Sequence, residues 1–166
     1  MKVILAVSAC LIFVCAAIAQ NKTIVLVRHA EKAGETAMDK TGDPDLSPDG
    51  QAMAKRLVDL VKKYKPHEIY STAYRRAQQT VAPIAAYRHK QVQTYDTREQ
   101  ARFVEQIMTS KTDHYLIAGH SNNIPELVNL LARKDIFKPL PDSEYGVIYV
   151  VKIRQGKFKR VEVYEY

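Results

Sequence analysis

Apolar positions along this chain follow two periods. Thr23 to Val27 ("TIVLV") is an unbroken β-branched and leucine run, the pattern of a strand buried on both faces. Farther on, Met53, Leu57, Leu60, Val61 and Tyr64 recur at helical spacing behind "LSP", where Ser47 serves as N-cap and Pro48 takes the first helical position. "HEIYSTA" is a short strand running into a small polar loop. From about Arg75 a helix turns Ala77, Val81, Ile84 and Ala85 inward, with a kink predicted at Pro83, which lacks an amide donor. "QVQTY" is a further strand, after which Thr97 caps a helix that buries Phe103, Val104, Ile107 and Met108. "HYLIAGH" repeats the buried-strand pattern, and Ile124, Leu127, Val128 and Leu131 form the next stripe, capped by Asn122 and Asn123 ahead of Pro125. The chain closes on a hairpin turning at Gln155 and Gly156. Strands alternating with helices predict an α/β fold: a three-layer α/β/α sandwich around a mostly parallel sheet.

The first residues stand apart from this pattern. Lys2 precedes an apolar stretch from Val3 to Ala16, and Ala17-Ile18-Ala19 supplies the small residues of a cleavage site. Residues 1–19 therefore read as a signal peptide cleaved before Gln20, leaving one domain over 20–166. The stretch is short for a span of about 20 residues. A lipoprotein reading, anchored at Cys10 in "VSAC", is the alternative, although Cys10 sits early and more apolar residues follow it. Both cysteines, Cys10 and Cys15, lie in this leader. A mature chain without cysteine has no disulfide scaffold, thiolate nucleophile or cysteine-ligated metal. The expectation is an exported protein, periplasmic or secreted, without stable membrane association after cleavage.

Composition changes the picture little. With 166 residues and 46% hydrophobic content, the chain can bury a core unaided. A formal charge of +7 favours an anionic partner, yet Lys62, Lys63, Lys65, Lys157, Lys159 and Arg160 read as solvated faces. The 10 tyrosines accompany no nucleic-acid motif and read as packing.

The candidate chemistry lies at strand ends. The first strand ends in Arg28-His29, the second leads into "STAYRRAQQT", and the later one ends in "AGHSNN" with His120. Open α/β sheets bind ligands outside the carboxyl ends of their strands, so neighbouring strands would bring two histidines and at least two arginines into one crevice. Such a cluster needs an anion, and a tetrahedral phosphate matches arginine forks.

"RHAEK", "YSTAYRRAQQT" and "GHSN", in that order and with "LSPDG" opening the first helix, resemble the histidine phosphatases of the phosphoglycerate-mutase-like superfamily, branch 1, and in particular its small phosphohistidine-phosphatase-like members. The resemblance covers Thr23 to about Leu131. It implies a phosphoglycerate-mutase-like fold and a metal-independent phosphatase working through a phosphohistidine intermediate on a small phosphorylated substrate or a phosphohistidine protein. It implies His29 as nucleophile, His120 as the second histidine, and Arg28 and Arg76 as phosphate-binding residues. Arg76, not Arg75, falls on the family's Arg-Ala-x-Gln-Thr pattern.

The residues support this chemistry themselves. A nucleophilic imidazole must be neutral, and nearby arginines disfavour a further positive charge on it. Arg28, Arg76 and a protonated His120 would hold the phosphoryl oxygens while the leaving oxygen departs. A proton donor is harder to find. Larger members of the family use a carboxylate from an inserted loop, and here the candidates are Glu99, Asp96 and Glu31. Glu99 is the first choice, although a helix-start carboxylate is its plainer role. Members lacking an evident acid favour good leaving groups, such as phosphoramidates. Glu31 and Lys32 also suit a local ion pair, and His67, His89 and His114 have no motif around them. Two other readings stay open at this level: a non-catalytic phosphate-binding module, and a metal-dependent phosphohydrolase with His29 and His120 as ligands. The latter lacks an HExxH motif or a third ligand at suitable spacing.

Overall fold

A computed structural model describes residues 20–34 and 42–166. The leader and its proposed cleavage site, with Cys10 and Cys15, lie outside the described residues. The elements run β1 (Lys22–Arg28), α1 (Pro48–Val61), β2 (Glu68–Ser71), α2 (Arg75–Arg88), β3 (Val92–Thr94), α3 (Gln100–Thr109), β4 (His114–Gly119), α4 (Asn123–Ala132), β5 (Val147–Arg154) and β6 (Lys157–Glu165). One six-stranded sheet has the order β3-β2-β4-β1-β5-β6. The β3-β2, β2-β4 and β4-β1 pairs are parallel, whereas β5 runs antiparallel to both β1 and β6.

The direction in which the chain crosses the sheet decides where the helices lie. From β1 to β2 to β3 it moves toward one edge, and from β3 to β4 to β5 it moves back. Right-handed crossovers in opposite directions place their helices on opposite faces. Accordingly, α1 and α2 pack Leu57, Val61, Ala77, Val81 and Ile84 on Val25, Val27, Leu116 and Ala118. On the other face, α3 and α4 pack Phe103, Ile107, Ile124 and Leu127 on Ile24, Leu26 and Ile117. Alternate residues of β1 thus serve two cores, and that is why "TIVLV" contains no polar face. The expected three-layer sandwich is the observed one.

Local details refine the sequence reading. Ser47 caps α1 through a 2.9 Å bond from the Gly50 amide to its Oγ. Leu60 does not join the buried stripe, being 39% exposed; Ala54 takes part instead. Thr97 is not the cap of α3, which begins behind Glu99 with no side-chain cap. The turn is shaped by Asp96, whose Oδ1 accepts from the Arg98 amide at 2.9 Å and whose carbonyl accepts from the Glu99 amide at 3.1 Å. α2 continues unbroken across Pro83 to Arg88. Neither Asn122 nor Asn123 caps α4 by the usual route: Asn122 makes no side-chain cap bond, and Asn123 lies inside the helix with its side chain turned back toward β4. The β5-β6 hairpin turns at Gln155 and Gly156, both with positive φ, which suits the twist of the strands it joins.

Candidate active site

β1 and β4 are neighbours in register, and the His29 amide extends their ladder by donating to the Gly119 carbonyl at 2.8 Å. That single bond sets His29 beside His120, with ring centroids 5.2 Å apart at 67°. His29 is 4% exposed. Its Nδ1 lies 2.8 Å from the Ala30 carbonyl, and because a carbonyl can only accept, Nδ1 carries the proton and Nε2 keeps its lone pair. Arg76 Nε donates to that Nε2 at 3.3 Å. Burial pushes the His29 pKa down to about 4; the Ala30 carbonyl opposes the shift, and the charges of Arg76, Arg28 and Lys32 add to it.

His120 is also held neutral. Burial, followed by His29, Arg76 and Arg28, lowers its pKa to about 3, so the protonated His120 expected from sequence does not hold for the protein alone. An anion in the pocket would act in the opposite direction. Thr72 Oγ1 lies 3.0 Å from His120 Nε2, and Thr72 is itself buried.

Both arginines are oriented by the surrounding structure. Arg28 Nη1 donates to the carbonyls of Pro141 at 2.7 Å and Glu144 at 2.5 Å, and Nη2 to that of Asp142 at 2.9 Å. The Tyr145 ring lies 4.4 Å from the same guanidinium. Arg28 Nε is buried and has no hydrogen-bond partner among the described residues. A phosphoryl oxygen would satisfy such a donor. Arg76 pairs with Asp43 through Nη1 at 3.2 Å and lies 4.4 Å from the Tyr74 ring, which also meets His120 edge-on at 4.9 Å. Each arginine–histidine pair is therefore flanked by one tyrosine. Arg75 is half-exposed and pairs with Asp45 at 2.5 Å.

The remaining motif residues connect these parts. Thr80 Oγ1 donates to the Arg76 carbonyl at 2.7 Å and accepts from the Ala30 amide at 2.9 Å, binding α2 to the end of β1. Gln79 accepts from the Leu46 amide at 2.8 Å and donates to Asp45 at 2.6 Å, holding the approach to α1. Gly50 lies so close to Glu31 that a Cβ there would fall 2.0 Å from the Glu31 carbonyl oxygen. At Gly119 a Cβ would come within 2.6 Å of both Asn123 Oδ1 and Tyr95 Oη. Those two side chains form a buried network: Asn123 Oδ1 accepts from the His120 amide at 2.6 Å, and Asn123 Nδ2 donates to Tyr95 Oη at 2.7 Å.

His29, His120, Arg28 and Arg76 line one open pocket of about 580 Å³, together with Lys32, Tyr74, Thr97, Ser121, Asn122, Asn123, Asp142 and Tyr145. Glu99, the first-choice proton donor, does not line it. It borders a separate groove with Tyr70, Tyr95 and Phe103, because α3 begins on the far side of the Tyr95 turn. Asp96 borders that groove too and is paired with Arg98. Glu31 turns to Ser47 and not to Lys32: its Oε1 accepts from Ser47 Oγ at 2.9 Å. Among the described residues, the carboxylate that does line the pocket is Asp142, on the exposed rim of the segment before β5. Sequence reasoning missed Asp142, Thr72, Tyr74, Tyr145 and Asp43. Thr72 and Tyr74 stand inside a recognised motif, whereas the other three lie in loops without periodicity.

Comparison with known proteins bears on the family and the fold. The family model of the histidine phosphatase superfamily (branch 1) matches residues 24–102. No functionally curated protein matches the sequence closely enough to count as a relative. Among solved structures, the chain is similar to a protein assigned as phosphohistidine phosphatase SixA in Agrobacterium tumefaciens, with TM-score 0.67, 18% identity, and coverage of 87% of this chain and 99% of that one. It is also similar to a protein histidine phosphatase SixA complexed with tungstate, with TM-score 0.66, 16% identity, and coverage of 84% and 95%. A mycobacterial glucosyl-3-phosphoglycerate phosphatase gives TM-score 0.65, 13% identity, and coverage of 89% and 99%. At such identities the structural likenesses speak for the fold alone; the family model adds the motifs of β1 and α2. Residues 24–102, from β1 into α3, match the histidine phosphatase superfamily, branch 1.

Proposed function

We propose that this protein is a metal-independent phosphatase that hydrolyses a phosphomonoester or related phosphoryl compound through a phosphohistidine at His29. The observation that carries this reading is the fixed tautomer of His29. With Nδ1 donating to the Ala30 carbonyl, Nε2 is left as a neutral lone pair beside Arg76 and His120. A nucleophile needs this arrangement, whereas a purely phosphate-binding site would gain more from a charged imidazole.

Arg76 and the unpartnered Nε of Arg28 hold the phosphoryl oxygens while Nε2 attacks phosphorus in line with the departing oxygen. The P–O bond to the leaving group breaks as the P–N bond forms. Water then attacks phosphorus, releases inorganic phosphate and returns Nε2 to its free state. His120 faces the transferred group and gains basicity from the bound anion. Asp142, in place of Glu99, is the carboxyl positioned to protonate a leaving oxygen at the pocket rim.

Substrates of this pocket are small phosphorylated molecules or the phosphohistidine of another protein, and the signal-like pattern of residues 1–19 supports a location outside the cytoplasm. A metal-dependent reading is disfavoured by donor geometry. Among the described residues, the His/Cys/Asp/Glu group spaced for an ion is His67, Asp113 and His114, without His29 or His120. The test is turnover of p-nitrophenyl phosphate by the purified protein. Activity that survives EDTA, is blocked by vanadate and disappears in His29→Ala supports the proposal. Loss with chelator selects the metal reading, and phosphate binding without turnover selects the non-catalytic module.

A further inference from the structure

At the opposite end of the sheet, the starts of β2 and β4 bring together three side chains that the phosphatase chemistry does not use. His67 Nδ1 lies 2.8 Å from Asp113 Oδ1, and His114 Nε2 lies 4.0 Å from Asp113 Oδ2. The two imidazoles stack at 5.3 Å with 20° between their planes. One donor atom from each residue falls within 4.8 Å of the others. β4 runs from His114 to Gly119, so this cluster is about 20 Å along the strand from His120 at a rise of about 3.3 Å per residue.

We propose that His67, Asp113 and His114 form a divalent transition-metal site that joins the starts of β2 and β4. Two imidazoles and one carboxylate are a borderline donor set suited to zinc, nickel or copper, and unsuited to calcium or magnesium. Tetrahedral zinc with bonds of about 2.0–2.1 Å places its donors about 3.4 Å apart. Half-exposed rings reach that spacing by small rotations, while the backbone beneath them is fixed. The His67 amide donates to the His114 carbonyl at 3.0 Å, and the Thr23 amide to the Asp113 carbonyl at 2.8 Å. Lys22 Nζ holds the carbonyls of Ser110 at 2.8 Å and Thr112 at 2.6 Å, and Glu68 accepts from Thr112 Oγ1 at 2.6 Å. Lys22 faces both Asp113 and Glu68, so the cluster carries more acidic than basic charge around the two imidazoles.

The geometry also assigns the donor nitrogens. His114 Nδ1 is buried, so the ring presents Nε2; His67 presents Nδ1. Metal binding through His114 Nε2 places the ring proton on Nδ1, which has no acceptor among the described residues. The site therefore lacks an outer-shell partner of the kind whose loss costs about 10–100-fold in affinity. Three protein ligands leave at least one position to water.

Isothermal titration of the purified protein with zinc chloride tests this directly. The expected result is one ion per chain at this site. His67→Ala and Asp113→Asn should each weaken it by at least about 10-fold, the lower bound for losing even an outer-shell partner. His120→Ala, which removes the other histidine pair as a source of binding, should leave it intact. Both surface variants should keep the metal-free thermal midpoint and the p-nitrophenyl phosphate turnover of the parent, so failure here is separable from failure of the phosphatase reading. Absence of zinc binding, or binding indifferent to His67→Ala and Asp113→Asn, overturns the site.

Discussion

Arg28 and Glu144 are joined by a 2.5 Å bond from Nη1 to a main-chain carbonyl, across 116 residues of chain. With the bonds to Pro141 and Asp142, it makes one guanidinium both a wall of the pocket around His29 and the anchor of the segment before β5. Arg76 carries no comparable load, since its partners are the Asp43 carboxylate and the His29 ring. Substituting either arginine by alanine should lower turnover by about 10²–10³, the usual cost of losing one charge-stabilising donor. Only Arg28→Ala should also destabilise the fold, by about 1–3 kcal/mol, because three carbonyls lose their donor. Thermal denaturation of the two variants beside their kinetics checks this: equal loss of stability would show that the 141–144 segment does not depend on Arg28.

A second prediction concerns how His120 is aimed. Its amide is held by Asn123, and Asn123 is held by Tyr95, in a space that exists because residue 119 has no side chain. Gly119→Ala puts a methyl into that network and should displace His120, at a cost of about 10²-fold in turnover, the scale of an ångström-sized misplacement. Tyr95→Phe is milder. It leaves Asn123 Nδ2 without its acceptor and should cost about 1–3 kcal/mol of stability, measurable by urea denaturation. Turnover in Gly119→Ala equal to that of the parent would show that the network does not position His120.

The strands, helices and the four-residue cluster were legible in the sequence for a common physical reason. β1 and β4 are covered on both faces, so they appear as unbroken apolar runs, and the residues just past them are forced into the crevice. Ser47 and Pro48 announce α1 by their own backbone preferences. Glu99 misled because a carboxylate near a helix start looks available from sequence, whereas its placement depends on which way the Asp96 turn carries α3. Asp142 and Tyr145 left no signal. They belong to a segment without periodicity, and its position follows from bonds to Arg28 that only the folded chain makes. Leu60 failed for a simpler reason: helical spacing identifies a stripe but not its edge.

Asp142 yields a third prediction. If its carboxyl protonates the leaving oxygen, its value depends on how poor that leaving group is. Asp142→Asn should lower turnover of an alkyl phosphate by about 10²-fold, the lower end of what a general acid contributes. Turnover of p-nitrophenyl phosphate, whose phenolate departs unaided, should change by less than about threefold on the same scale. Comparing the two substrates in parent and variant separates proton donation from phosphate binding, which would depress both alike. Glu99→Gln, altering a different groove, should leave both rates near those of the parent.

The last prediction follows from the depressed basicity of both site histidines. His29 and His120 would ordinarily titrate near 6.5, and burial lowers them to about 4 and about 3. As pH falls below 6.5 the unfolded chain takes up protons on these rings while the folded protein does not. Their contribution is therefore fully present above 6.5 and is lost progressively as pH falls toward 4 and then 3. The thermal midpoint of the parent should decline across this window more steeply than that of a His29→Gln, His120→Gln double variant, in which the other titrating groups are unchanged. Parallel curves would show that the two rings titrate normally in the folded protein. The same shift governs the chemistry: with His29 neutral down to about 4, the acidic limb of kcat/KM assigned to the enzyme should fall near that value. An enzyme limb near 6.5 would mean that the imidazole is solvated and that burial does not prepare it for attack.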